Sequence, residues 1–143
     1  MRLFARDAKI DALGQAPLFE GLSRRELGEL AKLTEDLDVK AGKVLCKEGE
    51  FGQQFFVIME GEVDVRRRGK SIATLGSGDF VGEVALFEDV RRTASVTATT
   101  PVRFFVMTRS AFLRLLDVNP RVERKVLRAL AKRVVSTSSD PRL

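Results

Sequence analysis

Within the stretch GDFVGEVALFEDVRRTASV at 78–96, Gly82, Glu83, Arg91 and Arg92 have the types and spacing of a small-anion site. Glycine lets a ligand approach the backbone closely. The first amides of a short helix have no internal partners and can point at an anion. The residues at 83–87 read as such a one-turn helix, starting directly after a strand-like run that ends at Gly82. A connector then delivers two arginines to a β-type run at 93–99. An arginine fork can close on two phosphate oxygens. A phosphate would repel the Glu83 carboxylate, which is better employed accepting hydrogen bonds from sugar hydroxyls. Together these residues suit a small sugar phosphate. By themselves they suit a plain structural role better, with Gly82 a turn residue, Glu83 an exposed helix start and both arginines solvated.

The elements around this stretch are short and β-prone. Glycines recur at Gly42, Gly49, Gly52, Gly61, Gly69, Gly76, Gly78 and Gly82. Between them lie β-type runs at 44–46, 55–59, 63–65 and 72–75, and a further strand at 102–107 follows Pro101. Phe55, Val57 and Met59 alternate with Phe56 and Ile58, so this strand is apolar on both faces and should be central. Arg68-Gly69-Lys70 reads as a hairpin turn between alternating strands. Short strands separated by regular turns predict an antiparallel sandwich or barrel.

In the order of its motifs, the chain resembles the cyclic nucleotide-binding domain of the catabolite activator protein, cAMP-dependent kinase regulatory subunits and cyclic nucleotide-gated channels. The resemblance rests on PLFEGLS at 17–23, GEFGQQFFVIMEGEVDV at 49–65, GEVALFEDVRRTASV at 82–96 and VRFFVMTRSAFLRLLDVNP at 102–120, with a C-terminal helix after them. It covers nearly the whole chain. It implies a mainly β fold, an antiparallel jelly roll or barrel (double-stranded β-helix), with N-terminal helices and a C-terminal helix. The implied organisation is an N-terminal helix at 1–16 and a binding domain at 17–135. That domain would hold a β-roll at about 34–107 and helices at about 109–135, before a disordered tail at 136–143.

The resemblance also assigns roles. Gly82, Val84 and Ala85 would present backbone amides to the cyclic phosphate, and Glu83 would accept the ribose 2′-hydroxyl. Arg92, whose spacing from Gly82 is the family's, would pair with the exocyclic phosphate oxygens, leaving Arg91 facing solvent. Thr93 would add a backbone or hydroxyl contact and Ala94 would line the pocket. Val84 and Leu86 would face hydrophobic surroundings. A lid over the base would come from the C-terminal helix, with Leu127, Leu130 and Ala131 all open as candidates. A threonine after the arginine accompanies cGMP preference in cGMP-dependent kinases, whereas RRTASV also resembles channels that prefer cAMP. No second polar contact for guanine is identifiable, so the ligand expected is cAMP rather than cGMP, with no other cofactor.

Composition narrows the alternatives. A chain of 143 residues with 44% apolar content is one domain that can bury a real core. No run is long and apolar enough to span a membrane, and no signal-peptide pattern opens the chain, so no membrane partner is expected. The single Cys46 cannot form an internal disulfide and suits a reducing cytoplasm, as a buried, inert thiol. The absence of histidine removes a His-ligated metal site and a Ser-His-Asp triad, and nothing else suggests catalysis.

Helices flank the β region. Residues 2–13 form a weakly amphipathic segment that Pro17 breaks. Ser23 then begins a capping box, Ser-Arg-Arg-Glu, with Glu26 reciprocal and Leu27, Leu30 and Ala31 as the buried stripe. Asn119-Pro120 starts the last helix, with Val122, Val126, Leu130 and Val134 on one stripe. The other faces carry Arg121, Arg124, Lys125, Arg128, Lys132 and Arg133. Residues 121–143 hold seven basic and two acidic side chains, which equals the whole chain's net +5. That basic face reads as solvated more readily than as a nucleic-acid surface. Beyond the helix, residues 136–143 are too few for a DNA-reading helix with its support. The partners expected are the nucleotide and an effector protein of unknown identity, with a homodimer through the C-terminal helix open. The competing reading is a degenerate fold that binds no nucleotide and serves as a protein-interaction or nucleic-acid-associated module.

Overall fold

The computed structural model describes residues 6–16, 19–82 and 91–137. In chain order the elements are α1 (Arg6–Gly14), α2 (Arg24–Ala31), β1 (Glu35–Val39), β2 (Val44–Cys46), β3 (Gln54–Glu60), β4 (Val63–Arg67), β5 (Lys70–Leu75), β6 (Phe80–Val81), β7 (Ser95–Ala98), β8 (Val102–Thr108), α3 (Arg109–Val118) and α4 (Pro120–Thr137). Among the described residues the strands form two four-stranded sheets, ordered β1-β8-β3-β6 and β2-β7-β4-β5, and every pairing is antiparallel. The expected mainly β architecture with flanking helices is what the chain adopts. Among the described residues, no helix is long and apolar enough to cross a membrane.

The first sheet is buried on both faces. Along β3, Phe55 and Val57 face a helical layer and pack with Phe19, Leu27, Leu30 and Phe112. Phe56 and Ile58 face the second sheet and pack with Val63, Val96, Ala98 and Phe104. β8 repeats the arrangement, with Phe105 and Met107 on the helical side and Phe104 and Val106 between the sheets. Strand alternation sends successive side chains to opposite faces, so an unbroken apolar run is what a wall between two cores requires. Each fully buried large side chain contributes roughly 1.5–3 kcal/mol. β3 is central in its sheet, as its pattern predicts, although Met59 is only half-buried.

Some boundaries differ from the sequence reading. The run at 93–99 is strand only over Ser95–Ala98, and Arg91 pairs with Phe51 in an isolated bridge before the ladder starts. The β4–β5 turn is Arg68-Gly69 alone, with Lys70 already in β5. Both turn residues have positive φ, 54° and 79°, the twist that a two-residue hairpin needs. β1, with the acidic sequence EDLDV, carries no strong strand signal of its own. It is held at the edge by its pairing with β8 and by the Arg103–Asp38 ion pair at 2.7 Å.

The helical layer keeps its expected caps. Ser23 and Glu26 form the capping box of α2, and Leu27, Leu30 and Ala31 are buried. Asn119 Oδ1 accepts from the Val122 amide at 3.3 Å at the start of α4. Val122 and Val126 are buried among Ile10, Leu13, Leu30 and Leu116. The side chains of Leu130 and Val134 lie outside the described residues, as do Leu3 and Phe4 of the N-terminal segment. Lys125 departs from its expected place on the solvated face. It is half-buried and donates to Glu26 Oε1 at 2.7 Å, tying α4 to the α2 capping box. This cation lies close to the Val122–Val126 stripe, and its long apolar stem can follow that stripe inward.

Candidate functional site

Two strands and one turn bring Gly82 and Arg92 together. β6 pairs with β3 through Phe56↔Val81 and Val57↔Phe80, which delivers Gly82 beside Gln54. The chain returns after residue 90 and is caught by the turn at 48–50. The Arg92 amide donates to the Glu50 carbonyl at 2.7 Å, and the Gly49 amide donates to the Arg92 carbonyl at 2.9 Å. The backbone of Arg92 is thereby fixed before its side chain makes any contact.

The Arg92 side chain then folds across two glycines. Its Nη1 donates to the Gly82 carbonyl at 3.3 Å and its Nη2 to the Gln54 carbonyl at 2.7 Å. A Cβ on Gly82 would fall 2.5 Å from Nη1 and 2.9 Å from the Gln54 oxygen, and its φ of +84° independently favours glycine. A Cβ on Gly52 would collide with the guanidinium itself. Arg92 also lines a cleft of about 230 Å³ with Cys46, Lys47, Glu50, Phe51, Gln53 and Gln54. A guanidinium carries five N–H donors. Among the described residues two donors are used here, each on a backbone carbonyl, and none meets a carboxylate. Such an arrangement holds the guanidinium in a defined position, suited to an anion with more than one oxygen.

Arg91 is exposed, as expected, yet it is engaged. Its guanidinium lies 4.4 Å from the centre of the Phe51 ring, and Nη1 donates to the Gly49 carbonyl at 2.7 Å. It therefore closes the turn that grips Arg92. Thr93 is exposed and Ala94 half-buried, both next in line after Arg92. Glu83, Val84 and Ala85, with Leu86 and the expected one-turn helix, lie outside the described residues. Of the lid candidates, Leu127 is 53% exposed, Ala131 is exposed and the Leu130 side chain is outside the described residues. The first turns of α4 pack on the helical layer through Val122 and Val126.

Gly52 and Gln54 are contributors that sequence reasoning placed only in a glycine frame. Gly52 has no positive φ to betray it. Its need for a missing side chain arises from Arg92, forty positions along the chain, and no local signal carries that.

A family profile described as "Cyclic nucleotide-binding domain" matches residues 37–119. The chain is 40% identical over 107 residues to a cAMP-dependent protein kinase regulatory subunit of Eremothecium gossypii, an alignment covering 74% of this chain and 23% of that protein. It is 29% identical over 135 residues to a CRP-like cAMP-activated global transcriptional regulator of Mycobacterium tuberculosis, covering 91% of this chain and 60% of that protein. The chain thus spans less than two thirds of either relative. Among solved structures it is similar to the N-terminal domain of a transcriptional regulator from Streptomyces coelicolor A3(2), with a TM-score of 0.80 and 31% identity over 91% of this chain and 96% of that one.

Proposed function

This chain belongs to the cyclic nucleotide-binding domain family, and we propose that it is a non-enzymatic sensor module that binds cAMP in preference to cGMP. The observation that carries the proposal is Arg92, whose guanidinium is held over Gly52 and Gly82 with no carboxylate to neutralise it among the described residues. In this reading the exocyclic phosphate oxygens meet Arg92. The amides at Gly82, Val84 and Ala85 meet the phosphate from the other side, and Glu83 takes the ribose 2′-hydroxyl. Thr93 and Ala94 complete the wall. Relatives described as cAMP-dependent and cAMP-activated favour cAMP, while a cGMP-dependent protein kinase of Caenorhabditis briggsae, 34% identical over 102 residues, keeps cGMP as the competing ligand.

A module that binds without chemistry must change a partner's behaviour. Ligand can do so only by favouring one arrangement of the helices over another. The element that joins the binding fold to whatever it controls is, in this reading, α4, acting on an effector protein. The unit responsible is taken as residues 17–135. Calorimetry on protein stripped of carried-over nucleotide tests the proposal. Saturable binding of cAMP, with weaker binding of cGMP, is expected. Absence of binding for both would leave a fold retained for protein contacts alone, and tighter binding of cGMP would reverse the ligand assignment.

A further inference from the structure

We infer that Arg67, at the end of β4, is a positioning residue for Arg92, an assignment that rests on the nucleotide-binding reading above. The pairing of β4 with β7 runs from Val63↔Ala98 to Arg66↔Ser95 and stops there. Arg67 is the next residue of β4 and has no partner on β7. Its side chain continues the ladder instead, and Nε donates to the Thr93 carbonyl at 3.0 Å. Thr93 immediately follows Arg92, so this bond fixes the Thr93–Ala94 peptide, one peptide beyond the anion-binding residue.

The opposite flank of the same segment is held by the turn at 48–50. The Glu48 amide donates to Ser95 Oγ at 3.0 Å, and the Gly49 and Glu50 backbones bond to Arg92. The Arg68 amide donates to Glu48 Oε1 at 2.9 Å, which joins the two flanks. Residues 92–95 are therefore gripped from both sides, and Arg67 is the only side chain on the β4 flank that reaches them among the described hydrogen bonds. Thr93 is exposed, so water could satisfy its carbonyl equally well. What the guanidinium supplies is location, which water does not. A site's geometry is only as precise as the groups that orient its contacting residue. The neighbours of Arg67 do other things. Arg66 pairs with Asp64 at 2.6 Å, and Arg68 occupies the turn.

The test compares Arg67→Ala, Arg67→Lys and Arg68→Ala by calorimetry with cAMP, and by the Arg92 Nε–Hε NMR signal of the nucleotide-free protein. Losing one oriented hydrogen bond should weaken cAMP binding about three- to tenfold in Arg67→Ala. Arg67→Lys, which can still donate to the carbonyl, should recover most of that loss. Arg68→Ala removes the same charge from the same hairpin and should leave affinity within about twofold, since exposed charges act weakly at distance in salt. The Arg92 signal should shift or broaden in Arg67→Ala and not in Arg68→Ala. Equal losses for the two alanine variants, or an unmoved Arg92 signal in Arg67→Ala, would overturn the assignment. If the wild type binds no cyclic nucleotide, the functional reading fails, and the NMR comparison alone decides whether Arg67 positions Arg92.

Discussion

The guanidinium of Arg92 occupies the space that a side chain on Gly52 would need. The obstructing atoms are the far end of a flexible side chain, so the fold can absorb a methyl group there by letting Arg92 swing away. Gly52→Ala should therefore cost little stability while weakening cAMP binding at least tenfold, because the clamp is displaced rather than deleted. Thermal melts and calorimetry on the same sample check both halves. A variant that melts early and binds normally would mean that Arg92 stays and the turn yields.

Arg92→Ala and Arg91→Ala should separate cleanly. If Arg92 pairs with the phosphate as proposed, deleting it removes a charge-assisted contact and should cost about 2–5 kcal/mol of binding. Arg91 instead covers Phe51 at 4.4 Å and bonds to Gly49, so its loss should appear mainly as a stability change of about 0.5–1 kcal/mol. Paired affinity and melting measurements on the two variants distinguish these roles. Equal losses of affinity would show that both arginines reach the ligand.

Sugar recognition has its own signature. If Glu83 accepts the ribose 2′-hydroxyl, 2′-deoxy-cAMP should bind the wild type more weakly than cAMP by about 1.5–3 kcal/mol. In Glu83→Gln that gap should narrow. Indifference of the wild type to the 2′-hydroxyl would remove Glu83 from the site and leave it a helix-start carboxylate.

The pair formed by Lys125 and Glu26 gives a prediction about acid stability. The Lys125 ammonium, followed by the Ser23 backbone amide, holds the Glu26 carboxyl below its ordinary value. A carboxyl depressed in the folded state adds stability that is fully present above its ordinary unfolded value and is lost as pH falls through the lower folded value. Lys125→Met should remove the largest single cause of that depression. The variant should lose about 1–2 kcal/mol at neutral pH and show a smaller further loss from Glu26 on acidification than the wild type. Urea melts at pH 7 and pH 3.5 measure it, and parallel pH dependence in the two proteins would discount the pair.

The legible parts of the fold were those written in local patterns. The Phe55 to Ile58 run announced a strand covered on both sides, and Ser23 with Glu26 announced a helix start. The single Cys46 and its burial also agree with the sequence. Of the site, the pairing of Gly82 with Arg92 came only from the family resemblance. Their meeting depends on the β6–β3 pairing and on the turn at 48–50, and neither is a local property. Gly52, Gln54 and Arg67 were illegible for the same reason. Each acts through one contact with a residue 26 to 40 positions away, made by a backbone carbonyl, a missing Cβ or a side chain standing in for a ladder. Lys125 misled because a cation among cations on a helix gives no sign that an acid is buried beside it.

The burial of Val122 and Val126 among the helices commits the first turns of α4 to the core of their own chain. A coiled coil with a second copy that took these two valines as its seam would compete for the same contacts. The stripe cannot serve both partners at once, so dimerisation along it would require the first turns of α4 to leave their own core. Such self-association would carry the thermodynamic mark of partial unfolding, with exposure of Ile10, Leu13 and Leu30 offsetting the new contact. The face left outward carries Arg121, Arg124 and Arg128, and two copies of it would repel one another at low ionic strength.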